Sequence, residues 1–412
     1  MNFSFSSLLK VVAATIFRFT LFFITVEPHA FADKEKEGDQ SYLFGEFGGL
    51  RDLLKNQGLT VESALTLDTV GNVSGGVNQK SVFLGNYDLT ATVDTKKIGL
   101  WSGGTFFTYV LANFGEAPSQ SIGDNQVSDN IEAPESIKLY EAWYDQSFSG
   151  DIGSFRVGLY DYNSEYVLLN FAQGFINSSF GLTPEIAQVG PSNFPTTSLA
   201  ARLKANLVKN AYILASVFDG VPGDPDNERG THIKFGDDDG LFYGLEIGRE
   251  GGSGSDYWKT AAGYWYHTAE FEDYNGTKQN NNAGMYYIGE VKLFCEDDVE
   301  QGLGAFIQTG FASANRNQIN QYYGIGLSYT GLFDNRDSDI FSIGVANAVN
   351  SNSFVNLDDG NKRVESAIEV NYKVQVTPYF AIVPDLQYII NPGTTADIDN
   401  ALVLGLRTEI LM

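Results

Sequence analysis

The sequence predicts an all-β fold, a transmembrane antiparallel up-and-down β-barrel of about sixteen strands. Three observations carry that prediction: period-two alternation of apolar and polar residues, a regular alternation of short and long connections, and a composition rich in Gly and aromatics. The chain has 44 Gly, 30 Phe and 22 Tyr, against one Cys and three His. Interfacial aromatic girdles and glycine kinks suit a curved wall of strands.

The first residues read as an export signal. Lys10 and Arg18 precede a short apolar core, Phe19 to Val26, and Ala30-Phe31-Ala32 has the small-x-small cleavage pattern. The apolar run is too short for a spanning helix. The expected organisation is a signal peptide at 1–32, a segment with a short helix at 33–59, and the barrel at 60–412. Removing Lys10, Arg18 and Glu27 would move the formal charge from -25 to about -26. Such acidity argues against nucleic acid as a partner. With a single cysteine, Cys295, no internal disulfide can form.

Between signal and barrel, Tyr42 to Gly58 reads as partly helical, with Leu50, Leu53 and Leu54 on one face and Gly58 as a stop. This segment would plug or line the periplasmic mouth, or simply lie beneath it. Strands are expected near 60–70, 81–93, 100–114, 136–148, 153–162, 197–206, 210–219 and 239–250. They continue near 256–267, 282–294, 301–312, 320–331, 338–348, 362–374, 379–390 and 399–411. In the clearest, Val364, Ser366, Ile368, Val370 and Tyr372 share one face, and Glu365, Ala367, Glu369, Asn371 and Lys373 the other.

The connections 94–99, 149–152, 207–209, 251–255, 295–300, 332–337 and 375–378 are short. Those at 71–80, 115–135, 163–196, 220–238, 268–281, 313–319, 349–361 and 391–398 are mostly longer. Short periplasmic turns and long outer loops are the outer-membrane pattern. The third long connection, Asn163 to Thr196, carries Tyr166, Phe171, Phe175, Phe180 and Phe194. So apolar a loop must pack against something. Folding into the lumen would narrow the pore; an outward cap or an oligomer contact is the alternative. In the final strand Leu404, Leu406, Ile410 and Met412 share a face, which suits recognition by barrel-assembly machinery. Outer-membrane proteins generally end on Phe, and Met412 departs from that.

Several stretches resemble one family. Glu365 to Gly393, ESAIEVNYKVQVTPYFAIVPDLQYIINPG, has its E-x-x-x-E-x-x-Y strand, T-P turn and P-D-x-Q-Y-I-x-N-P-G run. Tyr140 to Asp161 is similar to its strand–turn–strand around W-Y-x-Q, with Leu159-Tyr160 where the family usually places lysine. Gly48 to Leu59 is a third, weaker match. On these residues the chain resembles the carbohydrate-selective porin family, OprB, over nearly all of the mature length. The resemblance implies a sixteen-strand barrel in the bacterial outer membrane that passes monosaccharides by diffusion; a diffusion pore needs no nucleophile, so neither enzymatic activity nor a cofactor is expected. The partners expected are small sugars, outer-membrane lipid and lipopolysaccharide, the assembly machinery, and a homotrimer as many porins form.

A diffusion pore needs polar groups that replace part of a solute's hydration. Candidates on the inward faces of strands are Glu62, Asp68, Asp88, Glu141, Trp143, Arg156, Arg202, Lys204, Glu369, Asp385, Gln387 and Arg407, with Arg51 reaching in from the helix. Arg156, Arg202 and Lys204 would form a basic strip opposite Glu62, Asp68 and Asp88. Alternatively these charges pair with one another or solvate a wide lumen. Tyr140, Ala142 and Tyr144 are assigned outward. Asp224, Asp226, Glu228 and Asp237 to Asp239 offer oxygen ligands but lack EF-hand spacing, so a solvated loop is expected. His232 and His267 have no metal-ligand spacing, and Gly248 to Asp256 has no phosphate-binding lysine and reads as a turn. The competing functions are a general or other-solute porin, a surface adhesin or antigen, and a barrel enzyme. The last would need a catalytic cluster in the outer loops.

Overall fold

In the computed structural model, the described residues are 41–412 apart from 209 and 299; the expected signal at 1–32 lies outside them. Sixteen strands close into one antiparallel barrel. They are β1 (Leu59–Gly76), β2 (Ser81–Asp94), β3 (Gly104–Gly115), β4 (Ser136–Ser147), β5 (Gly153–Tyr160), β6 (Ser198–Val208), β7 (Ala211–Asp219) and β8 (Leu241–Gly251). The second half is β9 (Trp258–His267), β10 (Asn282–Cys295), β11 (Gly302–Ala312), β12 (Ile319–Thr330), β13 (Ile340–Asn350), β14 (Val364–Thr377), β15 (Phe380–Ile390) and β16 (Asp399–Leu411). Each strand pairs with its sequence neighbour, and β16 closes on β1, with Asp68 opposite Arg407. Closure leaves no strand edge to satisfy, which a hydrocarbon environment requires. Among the described residues no helix is long and apolar enough to cross a membrane.

The wall is two-sided. Large apolar side chains including Phe83, Phe155, Leu203, Leu245, Tyr264, Ile325 and Leu406 stand exposed on the outer face. Alternate residues are buried inside, such as Glu365, Ala367, Glu369 and Asn371 on β14. Water would make such an outer face unfavourable, whereas a lipid tail is its natural neighbour.

Two expectations need correction. The first long connection shrinks to 77–80, because β1 runs on to Gly76 and pairs with β2 as far as Gly71 opposite Ser81. Tyr140 faces inward rather than outward. The ladder between β3 and β4 slips between Tyr109↔Glu141 and Val110↔Leu139, leaving Tyr140 unpaired as a bulge. Its ring is buried and its hydroxyl donates to Asp161 at 2.5 Å.

Two outer connections fold inside. The 161–197 segment carries the short helical turns Ser178–Phe180 and Pro184–Ala187, and its aromatic rings fill the barrel against β7 to β14. Phe175 packs on Phe180 at 4.2 Å and on Phe306 of β11 at 5.5 Å. Gly344 of β13 makes room for it: a Cβ there would lie 2.7 Å from the Phe175 ring. The 116–135 segment lies against it, Asn130 N donating to Ile176 O and Ser178 N to Val127 O. At the other end of the barrel α1 (Leu50–Asn56) precedes β1.

Candidate pore constriction

The wall carboxylates divide into two sets, and backbone chemistry explains the first. A loop folded into a barrel brings peptide N–H groups that need acceptors. Glu369 of β14 accepts from Ile176 N (2.7 Å) and Asn177 N (3.0 Å). Glu365 accepts from Asn125 N, Gln126 N and Gly393 N. Glu290 and Glu246 do the same for Phe171 N and Val167 N. Gln387 donates to Ser128 O at 2.7 Å and to Asp385 at 2.9 Å. Of the residues singled out in the sequence, Glu369, Asp385, Gln387 and Arg407 sit among these anchors, all buried.

Arg407 completes that set. Its guanidinium reaches Asp68 Oδ2 at 2.7 Å, Asn130 Oδ1 at 2.7 Å and Asp129 Oδ1 at 3.2 Å, joining β16, β1 and the 116–135 segment. Asp68 is thereby paired on its own side of the barrel, not turned toward a basic strip opposite.

The second set lies on β2 to β6. Phe107 and Trp143 stack at 4.8 Å and 24°. The Arg156 guanidinium lies 3.8 Å from the centre of the Trp143 ring, and Trp143 Nε1 donates to Glu141 at 2.6 Å. Beside them Tyr109 donates to Asp88 at 2.5 Å. Trp143, Phe107, Tyr109 and Asp88 are only half-buried. Their strands bring them together through register, Phe107 opposite Trp143 and Tyr109 opposite Glu141.

Arg156 and Arg202 do not stand free. Arg202, 2% exposed, takes Glu165 at 2.7 Å, Asp145 at 2.8 Å and Ser154 Oγ at 2.6 Å. Arg156 reaches Asp145 at 3.2 Å and Glu165 at 3.8 Å. Glu165 comes from the inner loop. Burial pushes its carboxyl up, but Arg156 and Arg202 together hold it below the usual range. Two cations and two anions therefore cancel, and Arg156 keeps the more exposed edge.

The remaining candidates lie apart. Lys204 places Nζ 5.7 Å from the Tyr212 ring. Glu62 is exposed and accepts from Tyr42. Arg51 donates to the carbonyls of Gly45, Val61 and Met412, tying α1 to the rim of the barrel. Among the described residues no group of His, Cys, Asp or Glu is placed to hold a metal ion.

Asp145, Glu165, Phe107 and Tyr109 were not singled out from sequence. Inward parity on β3 and β4 could have found Phe107, Tyr109 and Asp145. Glu165 leaves no such signal, because its partners come from strands on either side of the loop.

The family described as "Carbohydrate-selective porin, OprB family" matches residues 79–412. Porin B of Pseudomonas aeruginosa is 22% identical over 90% of this chain and 91% of its own length. A putative porin, QuiX, of Acinetobacter baylyi is 23% identical over 90% of this chain and 93% of its own. Among solved structures, the high-pH structure of Pseudomonas putida OprB superposes with a TM-score of 0.83 at 20% identity, covering 92% of this chain and all of that one.

Proposed function

The chain belongs to the carbohydrate-selective porin family, OprB, as an outer-membrane channel for passive diffusion of sugars, and we propose from that premise that its solute is read on the Phe107–Trp143–Arg156 strip. The observation carrying this reading is the half-buried Trp143, in contact with the Phe107 ring and the Arg156 guanidinium, with Glu141 at its indole N–H. Sugars place CH surfaces on flat aromatic faces and hydroxyls on carboxylate and guanidinium groups. The rings of the 161–197 segment pack mainly against β7 to β13, and the 116–135 segment is held on β1, β14, β15 and β16, so on this reading a solute passes beside β2 to β5. Asp88, Glu141 and Arg156 then supply hydrogen bonds along that path, weak enough individually to release it.

The acidic outer loops would face lipopolysaccharide, β16 would present the chain to the assembly machinery, and a homotrimer is the assembly to look for by native mass measurement. Liposome swelling with the folded protein tests the function, comparing glucose, larger oligosaccharides and amino acids of similar size. Glucose swells vesicles fastest on this reading, and Trp143→Ala weakens sugar block of conductance about fivefold, the loss of roughly 1 kcal/mol of aromatic contact. Equal rates for all solutes of one size would make the chain a general porin.

A further inference from the structure

We propose that the segment from Tyr42 through α1 is an interfacial foot, seated in the periplasmic leaflet of the outer membrane and drawn there by anionic phospholipid. One side of the segment is committed to the barrel. Arg51 donates to the carbonyls of Val61 and Met412, and Leu43 N donates to Leu411 O. The other side is apolar, with the Phe44 and Phe47 rings 5.9 Å apart and the Arg51 guanidinium 5.2 Å from the Phe47 ring. Leu50 and Leu53 share a face of α1, Phe44 and Phe47 precede it across the left-handed Gly48 and Gly49, and all four stand about half exposed. Short helices gain little stability by themselves in water, and four large apolar side chains in a row would be poorly solvated there.

What covers them follows from their neighbours. On the outer face of the wall, the Phe106 and Tyr144 rings meet at 4.8 Å, tilted by 42°, in register across β3 and β4. Trp101, in the 95–103 turn, donates to the Tyr144 hydroxyl at 2.6 Å, so that turn folds back over the lipid-facing side. Leu100 and Ile98 of the same turn are exposed, and Gly58, just after α1, packs on Ile98 and Lys97. The 95–103 turn therefore links the lipid-facing wall to the end of α1.

Charge completes the match. The chain is strongly acidic, yet Lys55, Lys96 and Lys97 cluster here, all exposed, with Lys97 Nζ reaching the Lys55 carbonyl at 3.5 Å. Cations beside an apolar face are the signature of an amphipathic element lying on anionic lipid. The short-turn end of such a barrel faces the periplasm, which assigns the leaflet.

The test places a nitroxide at Leu50→Cys, or at Asp52→Cys on the opposite side, in a Cys295→Ser protein folded into vesicles. One set of vesicles is phosphatidylcholine alone and the other contains phosphatidylglycerol. The proposal expects the label at 50 to be shielded from a water-soluble nickel chelate and open to oxygen, the label at 52 to behave the opposite way, and the depth at 50 to increase with phosphatidylglycerol. Replacing Lys55, Lys96 and Lys97 by Gln should abolish that lipid dependence while the heat-resistant folded band on gels is kept. Equal nickel access at 50 and 52 would overturn the proposal. So would dipolar coupling between labels at 50, which would assign the face to a second copy of the chain.

Discussion

Arg407 illustrates how single residues act here. Its guanidinium is almost fully buried and spends itself on Asp68, Asp129 and Asn130, groups far apart in sequence. Deleting one partner of a buried ion pair leaves the others without compensation, which costs roughly 3–5 kcal/mol. Arg407→Ala is therefore expected to lower the unfolding free energy of the barrel by that amount, read as a lower urea midpoint at unchanged slope, and to loosen the 116–135 segment, read as faster amide exchange there. Arg156 has the same chemistry but a different setting. It shares Asp145 and Glu165 with Arg202 and keeps an exposed edge over Trp143.

At the scale of elements, the inner loop is held by strand carboxylates below its backbone and by rings set against wall glycines. Glu185 sits in the helical turn Pro184–Ala187, with Oε1 accepting from Thr183 and no partner at Oε2 among the described residues. Burial pushes its carboxyl up to about 7, only partly opposed by the Thr183 hydroxyl. The neutral form is thus the one that fits. Its contribution is whole below the ordinary carboxylate range and is lost as pH rises through about 7, a change of about 3 kcal/mol in all. Glu165 works in the opposite sense, its ion pairs weakening as pH falls below the ordinary range. Glu185→Gln should remove the upper of these two dependences. Protection factors across 182–190, with the intrinsic pH dependence of exchange removed, would then stay flat between pH 5 and pH 8, where the unaltered loop becomes progressively less protected.

For the molecule as a whole, the barrel is a wall with lipid outside and packed protein or solute inside. Leu406 stands half exposed on the outer face of β16, while Thr66 of β1 points inward. Leu406→Arg should cost roughly 2–4 kcal/mol, and Thr66→Arg much less, when unfolding is followed in vesicles. Reversal of that order would mean the sidedness of the wall is wrong. The same sidedness explains why a chain with so many exposed Leu, Phe and Tyr residues is not an aggregating surface: lipid covers them.

Strand number, strand positions and the inward or outward sense of most residues were readable from period-two alternation, because a pleated strand sends successive side chains to opposite faces. Val364 to Asn371 alternate between the two faces as the periodicity expects, and sixteen strands close as expected. The bulge at Tyr140 was not readable, since one extra residue shifts parity without altering composition. The fate of the inward charges was also hidden. Glu369, Arg407 and Gln387 lie on inward faces, but the structure buries them beneath the inner loops. That they meet Ile176, Asp129 and Ser128 depends on loops crossing the barrel. Local periodicity decides which side of a sheet a residue faces. What it touches there is decided by segments hundreds of residues away, brought in only when the wall has closed around them.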